Sequence, residues 1–237
     1  GLIIAAEPAM RLERRRDHAI IVSMKRVGID QAAAGIRSSG IVAVARGHFE
    51  QQALADMAEI LFQTGITALE VTLNSPAAPA LIRWLADAMG ARMLIGAGTV
   101  LTAGQVDEAV AAGAQFLVAP GYDPAAVAQA RRAQVLLVPG VLTPSEVGRA
   151  AADGCRLLKL FPAETVGPAY LKALRAPFDQ LDFMPTGGVS AETIPGWRRA
   201  GAVAVAAGST LLAPGLPPGE LKARAEAMRR AWIGACP

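Results

Sequence analysis

A lysine stands inside an apolar run, Leu157-Leu158-Lys159-Leu160-Phe161, with Cys155 upstream and Pro162 closing it. A run of that length with a stop reads as a buried strand. An ammonium there must be paired, or it must lose its proton more easily than a solvated lysine. A neutral amine attacks carbonyl carbon, so the chemical reading of Lys159 is a Schiff-base nucleophile. The alternative is a strand-end lysine that snorkels its head to water. The other lysines, Lys25, Lys172 and Lys222, lie in polar or terminal surroundings.

A second charge interrupts another apolar run, Glu70 in Leu69-Glu70-Val71. It reads either as a salt-bridge partner for Arg46 or Lys159, or as the proton shuttle that Schiff-base chemistry needs. A carboxylate beside an amine can do both. Thr186-Gly187-Gly188 and Gly208-Ser209 suit a phosphate, because glycine lets backbone N–H groups approach oxygens closely. Ser209 is placed to start a short helix over 210–213, whose N-terminus would favour an anion. Tight turns are the alternative. Arg46 can fix a carboxylate or phosphate through paired hydrogen bonds, or simply cap a surface. Thr99, in Gly96-Ala97-Gly98-Thr99, offers a hydroxyl and an N–H suited to a keto-acid carboxylate.

The two histidines, His18 and His48, have no Asp, Glu or Cys cluster at ligand spacing, so no metal site and no cofactor are expected. No Ser–His pair and no P-loop is visible, and Cys155 reads as core packing.

The elements that must position these groups alternate along the chain from Ile29. Apolar runs cover 41–45, 68–73, 93–96, 115–118, 135–138, 155–161, 181–184 and 203–206. Amphipathic stretches lie between them, among them 51–63, 76–89, 103–112, 124–131 and 144–152. Helix entries are marked by Ser75-Pro76, Asp123-Pro124 and Thr143-Pro144, and ends by Gly65, Gly90, Gly113, Gly154 and Gly201. Eight such units without a composition break predict an α/β fold, a single-domain (β/α)8 TIM barrel. An open doubly wound sheet would more often carry a Gly-rich turn after its first strand, and here that strand ends in Ala45-Arg46-Gly47. Barrel chemistry sits where strands end, which is where Arg46, Glu70, Asn74, Thr99, Lys159, Thr186 and Ser209 fall.

The chain has 237 residues, 53% of them hydrophobic and 18% charged, with a formal net charge of +3. That is enough for one large domain. Arg11, Arg14, Arg15 and Arg16 cluster near the N-terminus without interleaved aromatics, a solvated arm rather than a nucleic-acid surface. Cys155 and Cys236 make no disulfide framework and fit a reducing compartment. The apolar stretch 2–6 is too short for a membrane span or signal core. Cytoplasmic location without membrane or nucleic-acid partners is therefore expected. Residues 1–24 are expected to form a mobile or added extension, with Met24 a plausible start, and residues 25–237 the domain.

These residues, in this order, resemble the class I 2-keto-3-deoxy-6-phosphosugar acid aldolases. The resemblance rests on Leu69-Glu70-Val71-Thr72-Leu73-Asn74-Ser75-Pro76, Ile95-Gly96-Ala97-Gly98-Thr99-Val100, Leu158-Lys159-Leu160-Phe161-Pro162-Ala163-Glu164, Pro185-Thr186-Gly187-Gly188-Val189 and Gly208-Ser209. It implies a homotrimeric barrel that cleaves a phosphorylated keto acid, a small molecule, to pyruvate and glyceraldehyde 3-phosphate. It also implies Lys159 as Schiff-base lysine, Glu70 as acid/base, Arg46 and Thr99 as substrate-binding, and Gly187, Gly188, Gly208 and Ser209 as phosphate-binding. Asn74 resembles the galactonate-type branch, where gluconate-type members commonly have arginine. Thr186 resembles the gluconate type, and its hydroxyl is placed to read the sugar-acid chain. The alternatives are cleavage of 4-hydroxy-2-oxoglutarate, or another phosphate-binding barrel, an isomerase or synthase, with Lys159 as an electrostatic clamp.

Overall fold

The computed structural model describes residues 27–235. The expectations placed on residues 1–24, including the basic arm and His18, and on Cys236, lie outside them.

Parallel strands alternate with helices along the described chain. The strands are β1 (Ile41–Ala45), β2 (Ala68–Thr72), β3 (Leu94–Gly98), β4 (Phe116–Val118), β5 (Leu136–Val138), β6 (Gly140–Val141), β7 (Leu157–Leu160), β8 (Asp182–Pro185) and β9 (Val205–Ala207). One sheet has the order β5-β4-β3-β2-β1-β9 and a second the order β6-β7-β8. A single parallel bridge, Thr186 to Ala206, joins β8 to β9. The expected barrel is met as an α/β fold of parallel strands, in two sheets rather than one. The division at β5 and β6 falls on Pro139, which has no N–H to give to a ladder.

The helices are α1 (Ile29–Ser39), α2 (Gln51–Gln63), α3 (Ala78–Met89), α4 (Ala103–Ala111), α5 (Pro124–Arg132), α6 (Pro144–Ala152), α7 (Gly167–Arg175), α8 (Ile194–Arg199) and α9 (Pro218–Gly234). Two of the expected entries act as caps. Asp123 accepts from the Ala125 N–H at 3.0 Å, and Thr143 forms a capping box with Glu146. The third does not. Ser75 shares its hydroxyl with Thr72 at 2.8 Å and accepts the Gly47 N–H at 3.0 Å, so α3 starts later, from Ala77. The helix expected over 210–213 is a single turn, in which the Leu211 and Leu212 N–H groups both reach the Gly208 carbonyl at 2.8 Å. Pro214 removes the donor that would continue it. The run at 155–161 yields a shorter strand, because Cys155 is only half-buried and Arg156 is exposed. Burial, followed by the Asp153 charge, still pushes the Cys155 thiol up to about 11, which leaves it a poor nucleophile at neutral pH.

Strand alternation sorts the core into two clusters. Leu69, Val71, Leu158 and Leu160 face the helices in the larger one. Val42, Val44, Ala68, Phe116, Val118, Leu136, Val138, Leu157, Met184, Ala204 and Ala206 form the smaller one, joined by Ala32, Ala33 and Ile36 of α1. Side chains two apart on a strand share a face. Glu70 therefore lies on the face of Ala68, and Lys159 on the face of Leu157, so both stand on the side of the smaller cluster. Helix α1 packs among residues near the strand starts. Arg46, Thr186 and Ser209 fall near the opposite ends of the strands.

Candidate active site

Lys159 is 3% exposed and Glu70 1%, each in the middle of a buried strand. The Lys159 amide is anchored to the Pro139 carbonyl at 2.9 Å, and its Nζ lies 4.7 Å from the centroid of the Phe161 ring. Burial lowers the Lys159 pKa below that of a solvated lysine; the Glu70 charge opposes this and the Arg46 charge adds to it. Burial likewise raises Glu70 to about 7, against the pull of Lys159 and Arg46. The dominant cause is desolvation in both, so each is moved toward its neutral form. The Oε2 atom of Glu70 is buried with no hydrogen-bond partner among the described residues. An unpartnered buried carboxylate oxygen is costly and marks a place where a substrate hydroxyl or water can bond.

Gly98 makes room for that carboxylate. A Cβ there would stand 2.5 Å from Glu70 Oε1 and 2.8 Å from its Cδ. The next residue, Thr99, has φ 57°, a left-handed conformation unusual for a β-branched side chain. Such strain often accompanies functional sites. Asn74 is exposed in the turn after β2.

A cavity of about 260 Å³ opens between the ends of β1, β7, β8 and β9. Arg46, Thr186, Gly187, Gly188, Gly208 and Ser209 line it, with Phe161, Val189 and Thr210. Lys159, Glu70, Asn74 and Thr99 do not. Phe161 links the two regions, lying under the Lys159 ammonium and in the cavity wall. Arg46 links them too, since it lines the cavity and its charge is felt by both Lys159 and Glu70.

The backbone N–H groups of Gly188, Val189, Ser209 and Thr210 have no backbone acceptor among the described residues. All four residues line the cavity, and N–H groups without a backbone acceptor on two loops suit an anion. Gly188 has φ 64°, and a Cβ there would meet Glu164 Oε2 at 2.5 Å, so only glycine fits without strain. Thr210 was not singled out from the sequence. Its hydroxyl donates to the Val189 carbonyl at 2.6 Å and ties one loop to the other. The sequence marks Gly98 and Phe161 only as members of longer motifs. Thr186 is buried and donates to the Met184 carbonyl at 3.3 Å.

Among the described residues no group of three or more His, Cys, Asp or Glu side chains can hold a metal ion. His48 is exposed and pairs with Glu50 at 3.1 Å. No described helix is long and apolar enough to cross a membrane.

A family model described as "Aldolase: KDPG and KHG aldolase" matches residues 33–222. A probable 2-dehydro-3-deoxy-6-phosphogalactonate aldolase of Rhizobium meliloti is 37% identical over 81% of this chain and 91% of that protein. A 2-dehydro-3-deoxy-phosphogluconate aldolase of Pseudomonas aeruginosa is 44% identical over 56% of this chain and 61% of that protein. The crystal structure of a KDPG aldolase from Legionella pneumophila, with pyruvate captured as a covalent carbinolamine intermediate, superposes with a TM-score of 0.70. It is 29% identical and covers 85% of this chain and 97% of that one.

Proposed function

Because the chain belongs to the KDPG and KHG aldolase family, we propose that it reversibly cleaves a 2-keto-3-deoxy-6-phospho-sugar acid, of the gluconate or galactonate type, to pyruvate and D-glyceraldehyde 3-phosphate. It is a class I, Schiff-base aldolase, a carbon–carbon lyase. The observation that carries the residue assignment is a buried lysine on β7 and a buried carboxylate on β2 that feel each other's charge, beside a cavity whose wall has N–H groups without backbone acceptors.

In this reading neutral Lys159 attacks the C2 keto carbon, and the carbinolamine loses water to give an iminium ion. The iminium draws in the electron pair of the C3–C4 bond as it breaks. Glu70 takes the C4 hydroxyl proton, directly or through one water, and the aldehyde phosphate leaves. The enamine is then protonated at C3, and hydrolysis releases pyruvate and the free amine. Arg46 and Thr99 serve the substrate carboxylate. Gly187, Gly188, Gly208 and Ser209 hold the phosphate with backbone donors. Asn74 and Thr186 serve the sugar-acid chain between them, and Thr186 is the better placed because it lines the cavity.

The test is borohydride trapping with pyruvate, followed by mass spectrometry of the peptide that carries the adduct. The adduct should sit on Lys159. Lys159→Ala should trap nothing and lose about a thousandfold or more of cleavage. Cleavage near wild type in that variant would overturn the mechanism, and so would an adduct at Lys172. Pyruvate release from the gluconate-derived and galactonate-derived acids, measured side by side, names the preferred epimer.

The same reading includes a closed eight-stranded barrel. It is supported by parallel pairing throughout both sheets and by the Thr186–Ala206 bridge between them. A homotrimer in the cytoplasm, with residues 25–237 as one domain, completes the proposal; sedimentation checks the assembly.

A further inference from the structure

We infer that Arg224, on α9 and outside the cavity, is a positioning residue for phosphate binding through the Ser209 peptide. The inference rests on the reading of the β8 and β9 loops as a phosphate site. Arg224 Nη1 donates to the Ser209 carbonyl at 3.1 Å, fifteen residues away in sequence. Its Nη2 donates to Glu220 Oε1 at 2.5 Å, one helical turn earlier. One face of the guanidinium is thus spent on its own helix and the other on the loop.

The consequence follows from peptide geometry. In a trans peptide the carbonyl and the next N–H point in opposite directions. With the Ser209 carbonyl turned outward onto Arg224, the Thr210 N–H is turned the other way, and Thr210 lines the cavity. That N–H has no backbone acceptor among the described residues. The turn after Gly208 is held by the Leu211 and Leu212 N–H groups on the Gly208 carbonyl, and Arg224 is the group that holds the Ser209 carbonyl itself. An oxygen ligand gains most from donors that are already oriented, since none of its binding is then spent on ordering them. The Arg224–Glu220 pair is partly exposed and adds little to stability. Its effect is to aim the guanidinium.

Arg224→Met keeps the aliphatic stem and removes both donors, and Arg224→Lys restores one. Binding of inorganic phosphate by calorimetry reads the site without calling on aldol chemistry. Arg224→Met should weaken it about tenfold, the loss of roughly one charge-assisted hydrogen bond. KM for the phosphorylated substrate should rise in step, with kcat changed much less. Arg224→Lys should recover part of both losses. Pyruvate trapping by borohydride, which uses no phosphate, should be unchanged in all three proteins. Wild-type phosphate affinity in Arg224→Met overturns the inference, as does an equal loss of pyruvate trapping, which would mark a general structural role. A wild-type protein that traps pyruvate but binds no phosphate also overturns it, leaving the aldolase reading intact. A wild-type protein that binds phosphate but traps no pyruvate sinks the aldolase reading alone.

Discussion

Lys159 and Glu70 bring opposite charges into one apolar space, and burial works against both. The catalytic proposal needs the lysine neutral and the carboxylate charged. With Glu70 raised to about 7, C4 hydroxyl deprotonation should fail as pH falls through that value. The kcat/KM profile should show an acid limb there. Glu70→Gln should lower cleavage by about 10²–10⁴ and remove the limb's dependence on that carboxyl. The Glu70 charge holds the Lys159 pKa up, so its loss should lower that pKa further. Pyruvate trapping in Glu70→Gln should therefore persist and extend to lower pH. A trapping profile that moved to higher pH would contradict the coupling. Both residues were legible in sequence because each breaks an apolar run. The strain at Thr99 and the tie made by Thr210 were not, since neither a left-handed φ nor a hydroxyl's partner leaves a pattern in residue types.

At the scale of elements, the site is set by strand register. Glu70 on β2 pairs with Gly96 on β3, and Thr72 pairs with Gly98. The carboxylate thus rests against a neighbouring strand that must stay small. Gly98→Ala should destabilise the protein by about 1–3 kcal/mol, through overpacking against Glu70, and should cost activity without altering any group that does chemistry. Urea unfolding and pyruvate release measure the two losses. Strands were readable where apolar runs had clear stops, as in β1, whose bounds match expectation. The run at 155–161 was read too long because hydrophobicity cannot tell a strand residue from a half-buried loop residue such as Cys155. The short β6 after Pro139 escaped notice because a two-residue strand carries no alternation. Ser75-Pro76 looked like a helix entry, yet tertiary partners had already claimed the serine hydroxyl.

For the whole molecule, housing a carboxylate where it resists ionising makes stability depend on pH. The folded protein holds the Glu70 proton up to about 7, while the unfolded chain releases it near 4.5. Between those values the native state binds more protons, so stability falls as pH rises, on the order of 3 kcal/mol in total. Glu146 acts in the opposite sense and in a lower window. Its pKa is lowered first by the backbone N–H groups of Thr143 and Leu142, so its contribution is lost only below about 4.5. Melting temperatures between pH 4.5 and 7 should slope downward in wild type, and removing the carboxyl in Glu70→Gln should take that downward contribution away. The alternation of strand and helix was legible along the chain, whereas the packing of α1 near the strand starts was not, because one apolar helix face does not say which end of a fold it meets. The tie between the β8 and β9 loops has a last consequence. Amides with no acceptor are free to trade their hydrogen with solvent, even in a rigid part of a protein. The exposed Gly188, Ser209 and Thr210 should therefore take up deuterium early in the empty protein, against the slow uptake of the strands they follow. Phosphate should slow both loops together, since one hydroxyl couples them. The ligand would be recorded as a delay in isotope uptake at three backbone positions.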